Sequence, residues 1–349
     1  MVKRLEYDEF VLDELRKVSG TKFNSLLDSL LVPNSRLYIR VNTLKTSPTR
    51  IRERLPFLHE DEDFSEALYI EIRGPSKLEE RESKVIVDKR TAESVMMGAN
   101  VYRPGVKRVI GNSRFVNVVS ENGIIIAEGE LVNQGNLAVK ITKSMYSSYP
   151  LSDLDELKTG EILLQGKASM YVAYLIDPKP GEKIIDMTAH PGGKLTHIYQ
   201  LEPKARILGF DHTKRKVQDL RQLTQRLGMH IETYLADSRY LYEDFRISDV
   251  DKVLIDPPCS ALGLRPKIYD KKNKEDLINL SSYQKQFINA AYKLLKKDGI
   301  LIYSTCTMTE IENERIVEDE RFELEEIIRF YPMVHDITGF FIAKLRKRK

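Results

Sequence analysis

The chain has 349 residues, 42% hydrophobic and 31% charged, enough for two or three domains with an ordinary globular balance. Its net charge is only +3, from 55 Lys/Arg against 52 Asp/Glu, so no chain-wide field marks a nucleic-acid partner. Two cysteines exclude a disulfide scaffold. The start MVKRLEYDEF lacks an apolar h-region, no run approaches about 18 apolar residues, and the six histidines show no zinc-type spacing. A cytoplasmic, monomeric protein without membrane or metal partners is expected.

Residues 1–83 mix helix and strand. Leu37–Val41 reads as a strand, and Ser47-Pro48 as a helix opening. Over residues 84–158 short β-type runs (Val85–Val87, Phe115–Val119, Ile124–Ala127) alternate with turns at Arg103-Pro104-Gly105, Gly111-Asn112 and Glu121-Asn122-Gly123. That pattern predicts a small β-barrel or sandwich. Basic residues gather there: Lys84, Lys89, Arg90, Arg103, Lys107, Arg108 and Arg114 stand against Asp88 and Glu93. From 159 to 349 strand and helix alternate. Strands are expected at Lys183–Met187, Ile207–Phe210, Ile231–Leu235, Lys252–Ile255 and Ile300–Tyr303. One helix carries Val217, Leu220 and Leu227; another carries Phe287, Ala291, Leu294 and Leu295 and is expected to stop at Gly299. The alternation predicts an α/β fold with a parallel, doubly wound sheet. The closing basic run Lys344, Arg346, Lys347, Arg348 and Lys349 reads as a solvated end.

Open parallel sheets bind ligands at the carboxyl ends of their strands. Four predicted strand ends carry an aspartate: Asp186, Asp211, Asp237 and Asp256. The first leads into MTAHPGGKL, where Gly192 and Gly193 let backbone approach a ligand as a helix begins. Asp211, at the next strand end, suits the hydrogen bonds of a ribose diol. The turn lacks a full G-x-G-x-x-G and holds Pro191 and Lys194, so a nucleoside cofactor without phosphates, S-adenosylmethionine, fits better than a dinucleotide. A strand-end aspartate also serves as a plain helix N-cap.

The two cysteines follow apolar runs, in VLIDPPCSALGLRP (Cys259) and IYSTCTM (Cys306), and both belong at the same sheet edge. Beside a methyl donor they suit cytosine C5 methylation. A thiolate adding at C6 makes C5 nucleophilic, an acid near N3 shares a proton, and a base then removes the C5 proton. Asp256, Cys259 and Cys306 offer such groups; two inert buried thiols are the alternative.

DPPCSALGLRP and STCTMTEIENE resemble the fourth and sixth motifs of the Nol/Nop/Sun-domain RNA cytosine-5 methyltransferases. DMTAHPGGK resembles that family's first motif, and RVNTLKTSP its N-terminal signature. The resemblance spans residues 37 to 345 and implies a Rossmann-like S-adenosylmethionine-dependent catalytic domain over 159–349. It implies Cys306 as nucleophile, Cys259 as the group that assists release, Asp256 against the target cytosine, and Lys194 within the catalytic site. The cofactor residues it implies are Met187, Thr188, Ala189, His190, Pro191, Gly192, Gly193, Lys194, Asp211, Lys216, Asp237 and Asp256. His190, Leu195 and Thr338 depart from the family pattern.

Residues 84–158 resemble a PUA domain, an inserted RNA-binding β-barrel, through GANVYRPGV and IIIAEGE, with Asn112 departing from the usual Gly-Asp turn. An N-terminal α/β, RNA-recognition-like region over 1–83 completes the expected organisation. The PUA-containing subgroup acts on tRNA near the acceptor end. The resemblance therefore implies a tRNA partner, with Lys89, Arg90, Tyr102, Arg103, Lys107 and Arg108 as candidate RNA contacts. An rRNA cytosine-5 methyltransferase and a non-catalytic PUA-type RNA-binding protein are the rival readings. An exocyclic amino methyltransferase is disfavoured because Cys259 stands where its base-stacking aromatic residue would be.

Overall fold

Aliphatic runs with hydrophobic residues on both faces build the inner strands of the main sheet, as expected for strands covered on both sides. The computed structural model describes residues 4–132, 135–149, 151 and 154–348. Its largest sheet holds β1 (Lys183–Asp186), β2 (Arg206–Asp211), β3 (Glu232–Leu235), β4 (Val250–Ile255), β5 (Leu295–Thr305), β6 (Phe322–Phe330) and β7 (Phe340–Lys347). The spatial order is β3-β2-β1-β4-β5-β7-β6. The first five strands run parallel, and β7 enters antiparallel between β5 and β6. The expectation of a wholly parallel sheet is thus corrected at one edge.

Successive side chains alternate between two cores. Ile184, Leu254, Ile300 and Ile302 face one, while Ile185, Val253, Ile255, Leu301 and Tyr303 face the other. Each core is closed by helices. These include α1 (Gly193–Leu201) and α2 (Lys214–Leu227), whose Leu195, Ile198 and Leu220 pack in the first core. The second receives Phe287, Ile288, Ala291 and Leu294 of α3 (Lys274–Leu294). Truncating a fully buried residue such as Leu254 to alanine costs about 2–5 kcal/mol through lost transfer energy and the cavity left behind.

Two local expectations are corrected. α3 ends at Leu294, and Gly299 lies inside β5 rather than stopping the helix. The pairing of β4 with β5 shifts between Leu295 and Ile300, and Asp298 adopts φ 61°. Strand pairing, not a glycine cap, sets that boundary. The basic C-terminal run is likewise no free end. It forms β7, where Lys344 and Arg346 both pair with Glu325 of β6, and the Lys347 ammonium binds the Tyr292 and Leu295 carbonyls. Lys349 lies outside the described residues.

Before the large sheet, Arg36–Val41, His59–Glu60, Ala67–Glu71 and the later Ile162–Leu164 make a four-stranded antiparallel sheet. The helix expected at Ser47-Pro48 is Pro48–Arg54, with the Ser47 side chain accepting the Arg50 N–H as N-cap. Strands within Lys84–Ser144 form a separate six-stranded mixed sheet around Val85, Val118, Ile126 and Val139. It is tied to the segment just before α3 by Lys89, whose ammonium lies 2.9 Å from the buried Asp270 carboxylate.

Candidate active site

β1 ends in Asp186, only 2% exposed, and the Thr188 N–H donates to its carboxylate at 3.0 Å. Burial pushes Asp186 up to about 7, although the Thr188 bond and nearby Lys194 oppose the rise. The Thr188 hydroxyl in turn accepts the Asp256 N–H at 2.7 Å, which locks the end of β1 to that of β4. Gly192 starts the following turn at φ 105°, and a Cβ there would meet the Leu223 side chain at 2.6 Å. The backbone conformation favours glycine here, while the Leu223 methyl group lies at the end of a side chain that can shift.

Two clefts open at this sheet edge. The first, about 250 Å³, is lined by Met187, Thr188, His190, Asp211, Lys216, Asp237, Asp256, Cys259 and Cys306 among others. The second, about 180 Å³, is lined by Asp186, Thr188, Ala189, His190, Pro191, Gly192, Gly193, Lys194 and Asp256, with Gln165 and Ser169 opposite. Every residue expected to hold the cofactor therefore lines one of two adjoining clefts. Asp211 keeps its carboxylate at the cleft, with the Lys216 ammonium 3.6 Å away. Asp237 is turned partly to the protein: Arg239 donates to both its oxygens, at 2.9 and 2.5 Å.

Sequence reasoning missed the residues that brace this turn. Arg40, of the N-terminal signature, is 1% exposed and donates to the Gly193 carbonyl at 2.9 Å and the Thr196 hydroxyl at 2.8 Å. Gln165 is 6% exposed and lines the second cleft, and its buried side-chain oxygen has no hydrogen-bond partner. A buried acceptor left open beside a glycine turn suits a ligand donor group. These features fit S-adenosylmethionine: Asp211 for the ribose, and the glycine turn with Gln165 for the polar tail.

The reacting groups converge because β4 and β5 are neighbours, with Ile255 opposite Tyr303. Asp256 follows β4 directly; its carboxylate contacts the Lys194 ammonium at 2.5 Å and accepts the Ser304 hydroxyl at 3.0 Å. Burial pulls Lys194 down, yet Asp256 and Asp186 outweigh it and hold the ammonium above its ordinary value. The Cys259 and Cys306 sulfurs lie 3.3 Å apart although 47 positions separate them in the chain. The contact between them pushes Cys306 down and Cys259 up. Lys194 adds to the lowering of Cys306. Among the described residues no group of His, Cys, Asp and Glu could hold a metal ion, and no helix is long and apolar enough to cross a membrane.

The candidate RNA contacts divide. Arg90, Tyr102, Lys107 and Arg108 are exposed, Tyr102 to 54%. Lys89 is committed to Asp270, and the Arg103 guanidinium binds the Gly135 and Val132 carbonyls at 2.8 and 3.3 Å.

A sheet of this order, with ligand clefts at its carboxyl edge, defines an α/β methyltransferase of the S-adenosylmethionine-dependent type. The family described as 16S rRNA methyltransferase RsmB/F matches residues 173–321. The chain is 35% identical to a tRNA (cytosine(72)-C(5))-methyltransferase of Pyrococcus horikoshii, over 99% of each chain. It is 30% identical to the mouse (Mus musculus) tRNA (cytosine(72)-C(5))-methyltransferase NSUN6, covering 89% of this chain and 76% of that protein. The crystal structure of NSun6 from Pyrococcus horikoshii with SFG, an S-adenosylmethionine analogue, superposes with a TM-score of 0.92 at 33% identity, covering 98% and 99% of the two chains. The protein belongs to the Nol/Nop/Sun (RsmB/F) family of S-adenosylmethionine-dependent RNA methyltransferases.

Proposed function

We propose that the protein is a cytoplasmic tRNA (cytosine-5) methyltransferase acting at the end of the acceptor stem. In this reading residues 84–158 are a PUA domain that holds the tRNA 3′ end, and residues 1–83 and 159–349 are the N-terminal and catalytic regions. The observation that carries the chemistry is the contact of Cys259 with Cys306 beside the Lys194–Asp256 pair, at the mouth of the cofactor clefts.

The target cytosine leaves its stack to reach these groups. The Cys306 thiolate attacks C6, forming an S–C6 bond and moving an electron pair toward C5. Asp256 relays a proton from the Lys194 ammonium to N3 as that charge develops, and the proton returns to Lys194 when the adduct collapses. Bound S-adenosylmethionine supplies an electrophilic methyl group to C5. Consumption of the Cys306 thiolate removes the leading cause that holds Cys259 protonated. Cys259 gives its own proton to solvent and, as thiolate, takes the C5 proton. The C5–H electron pair re-forms the C5–C6 double bond as the S–C6 bond breaks, and the thiolate returns to Cys306.

The test is methyl transfer from labelled cofactor to intact tRNA and to tRNA lacking its 3′ end, followed by nucleoside analysis. 5-Methylcytosine in intact tRNA, with at least about ten-fold less in the shortened RNA, is expected. Equal labelling of both would remove the PUA role, and transfer to rRNA alone would favour the rRNA reading. Cofactor binding without any transfer would favour a non-catalytic RNA-binding protein.

Two further outcomes follow from the same assignments. Asp211→Ala should weaken cofactor binding about 10–100-fold by calorimetry, the worth of charge-assisted bonds to a diol. An unchanged Kd would remove Asp211 from the cofactor site. Lys107→Ala and Arg108→Ala should each weaken tRNA binding and reduce the slope of log K against log salt by about one. An unaltered slope would place the RNA on another face.

A further inference from the structure

Glu312 lies in the turn after β5, in the run Thr305-Cys306-Thr307-Met308-Thr309-Glu310-Ile311-Glu312, and its side chain is wholly buried. Its carboxylate gathers five donors. One oxygen accepts the Ser260 N–H at 2.8 Å and the Gln284 amide at 3.2 Å. The other accepts the hydroxyls of Ser260 at 2.6 Å, Thr309 at 2.9 Å and Thr307 at 3.3 Å. The Ser260 and Thr307 hydroxyls also meet each other at 2.8 Å. Ser260 follows Cys259 and Thr307 follows Cys306, so the residue after each cysteine is bound to one carboxylate. Gln284 extends the grip to the residue before Cys259 by donating to the Pro258 carbonyl at 3.0 Å.

All five donors are neutral. A carboxylate buried on neutral partners costs several kcal/mol of desolvation, which its hydrogen bonds offset. An apolar side chain would fill the space without that cost but could not accept bonds from two loops at once. The turn is also anchored from outside: the Tyr303 hydroxyl donates to the Glu312 carbonyl at 2.7 Å. Buried Glu14, from the N-terminal helix Glu9–Ser19, accepts the Ile311 N–H at 3.1 Å.

We propose that Glu312 is a positioning residue that sets the separation of the Cys259 and Cys306 thiols by bridging their two loops. The inference rests on the cysteine mechanism given above. Glu312→Gln keeps shape but turns an acceptor into a donor facing hydroxyl and amide donors. The loops then part, and the sulfur–sulfur hydrogen bond weakens.

The experiment uses the full-length Glu312→Gln protein with three readouts: cofactor Kd by calorimetry, the pH profile of Cys306 alkylation by iodoacetamide, and methyl-transfer turnover on tRNA. The cofactor Kd should stay within about two-fold, and the alkylation profile should move to higher pH. Turnover should fall about 100-fold, the effect of misplacing a reacting group by about 1 Å. Ser260→Ala and Thr307→Val, which leave the carboxylate in place, should shift the alkylation profile in the same direction. An unchanged profile in all three variants overturns the proposal, as does loss of cofactor binding in step with turnover, which marks general loosening. Adduct formation by the wild-type protein on tRNA carrying 5-fluorocytosine is scored separately. Its absence would sink the cysteine mechanism, while the alkylation profile would still decide the role of Glu312.

Discussion

The Cys306→Ala protein is expected to form no covalent complex with tRNA and to lose at least ~10⁴-fold in methyl transfer, as removal of a nucleophile does. Cys259→Ala should behave in the opposite way. It retains the thiol that attacks, so it forms the S–C6 bond, but it lacks the group that takes the C5 proton. A protein–RNA complex stable to denaturation should accumulate, visible as a shifted band on a denaturing gel. The geometry adds a second signature. Cys306 is held low chiefly by its hydrogen bond with Cys259 at 3.3 Å. Deleting that partner should raise the Cys306 pKa, so the pH at which iodoacetamide alkylates Cys306 half-maximally should rise in Cys259→Ala. A trapped complex with Cys306→Ala in place of Cys259→Ala would reverse the two roles.

Asp256→Asn should lower turnover by about 10³-fold, within the range for a positioned proton-transfer group. The substitution preserves shape and can still accept the Ser304 hydroxyl, which contacts the present carboxylate at 3.0 Å. What disappears is the negative charge against the Lys194 ammonium. Asp256 also opposes the ionisation of Cys306 through its charge. Its removal should therefore leave Cys306 alkylated at least as readily as in the wild type while methyl transfer collapses. That separates formation of the nucleophile from the proton step at N3. A parallel loss of alkylation and turnover would mean that Asp256 acts on the thiolate instead.

The reaction's parts were legible in the chain because chemistry is local. The inner parallel strands read as aliphatic runs, since burial on both faces leaves no polar alternation. Asp186 and Asp211 end their strands, and Asp237 and Asp256 follow theirs, at the edge where the two clefts open. Gly192 was legible as a tight turn, and its φ of 105° supplies the reason. Lys89 and Arg103 were read as candidate RNA contacts from their place in a basic cluster within the PUA-like region. Charge in a sequence does not reveal a partner, and the structure gives Lys89 to Asp270 and Arg103 to two backbone carbonyls. The C-terminal basic run misled for the same reason: its counter-charge, Glu325, lies on a neighbouring antiparallel strand.

The sequence by itself determined the alternation of strand and helix, the thiols and carboxylates, and the glycine turn. Each follows from side-chain chemistry and local backbone preference. Only the tertiary structure decided that β5 lies beside β4, which turns a separation of 47 residues into a sulfur contact of 3.3 Å. It alone put Arg40 under the glycine turn and Gln165 at the wall of the second cleft. The physical reason is that strand order and loop contacts arise from burying both faces of one sheet. That is a property of the whole packed chain, and no window of residues contains it.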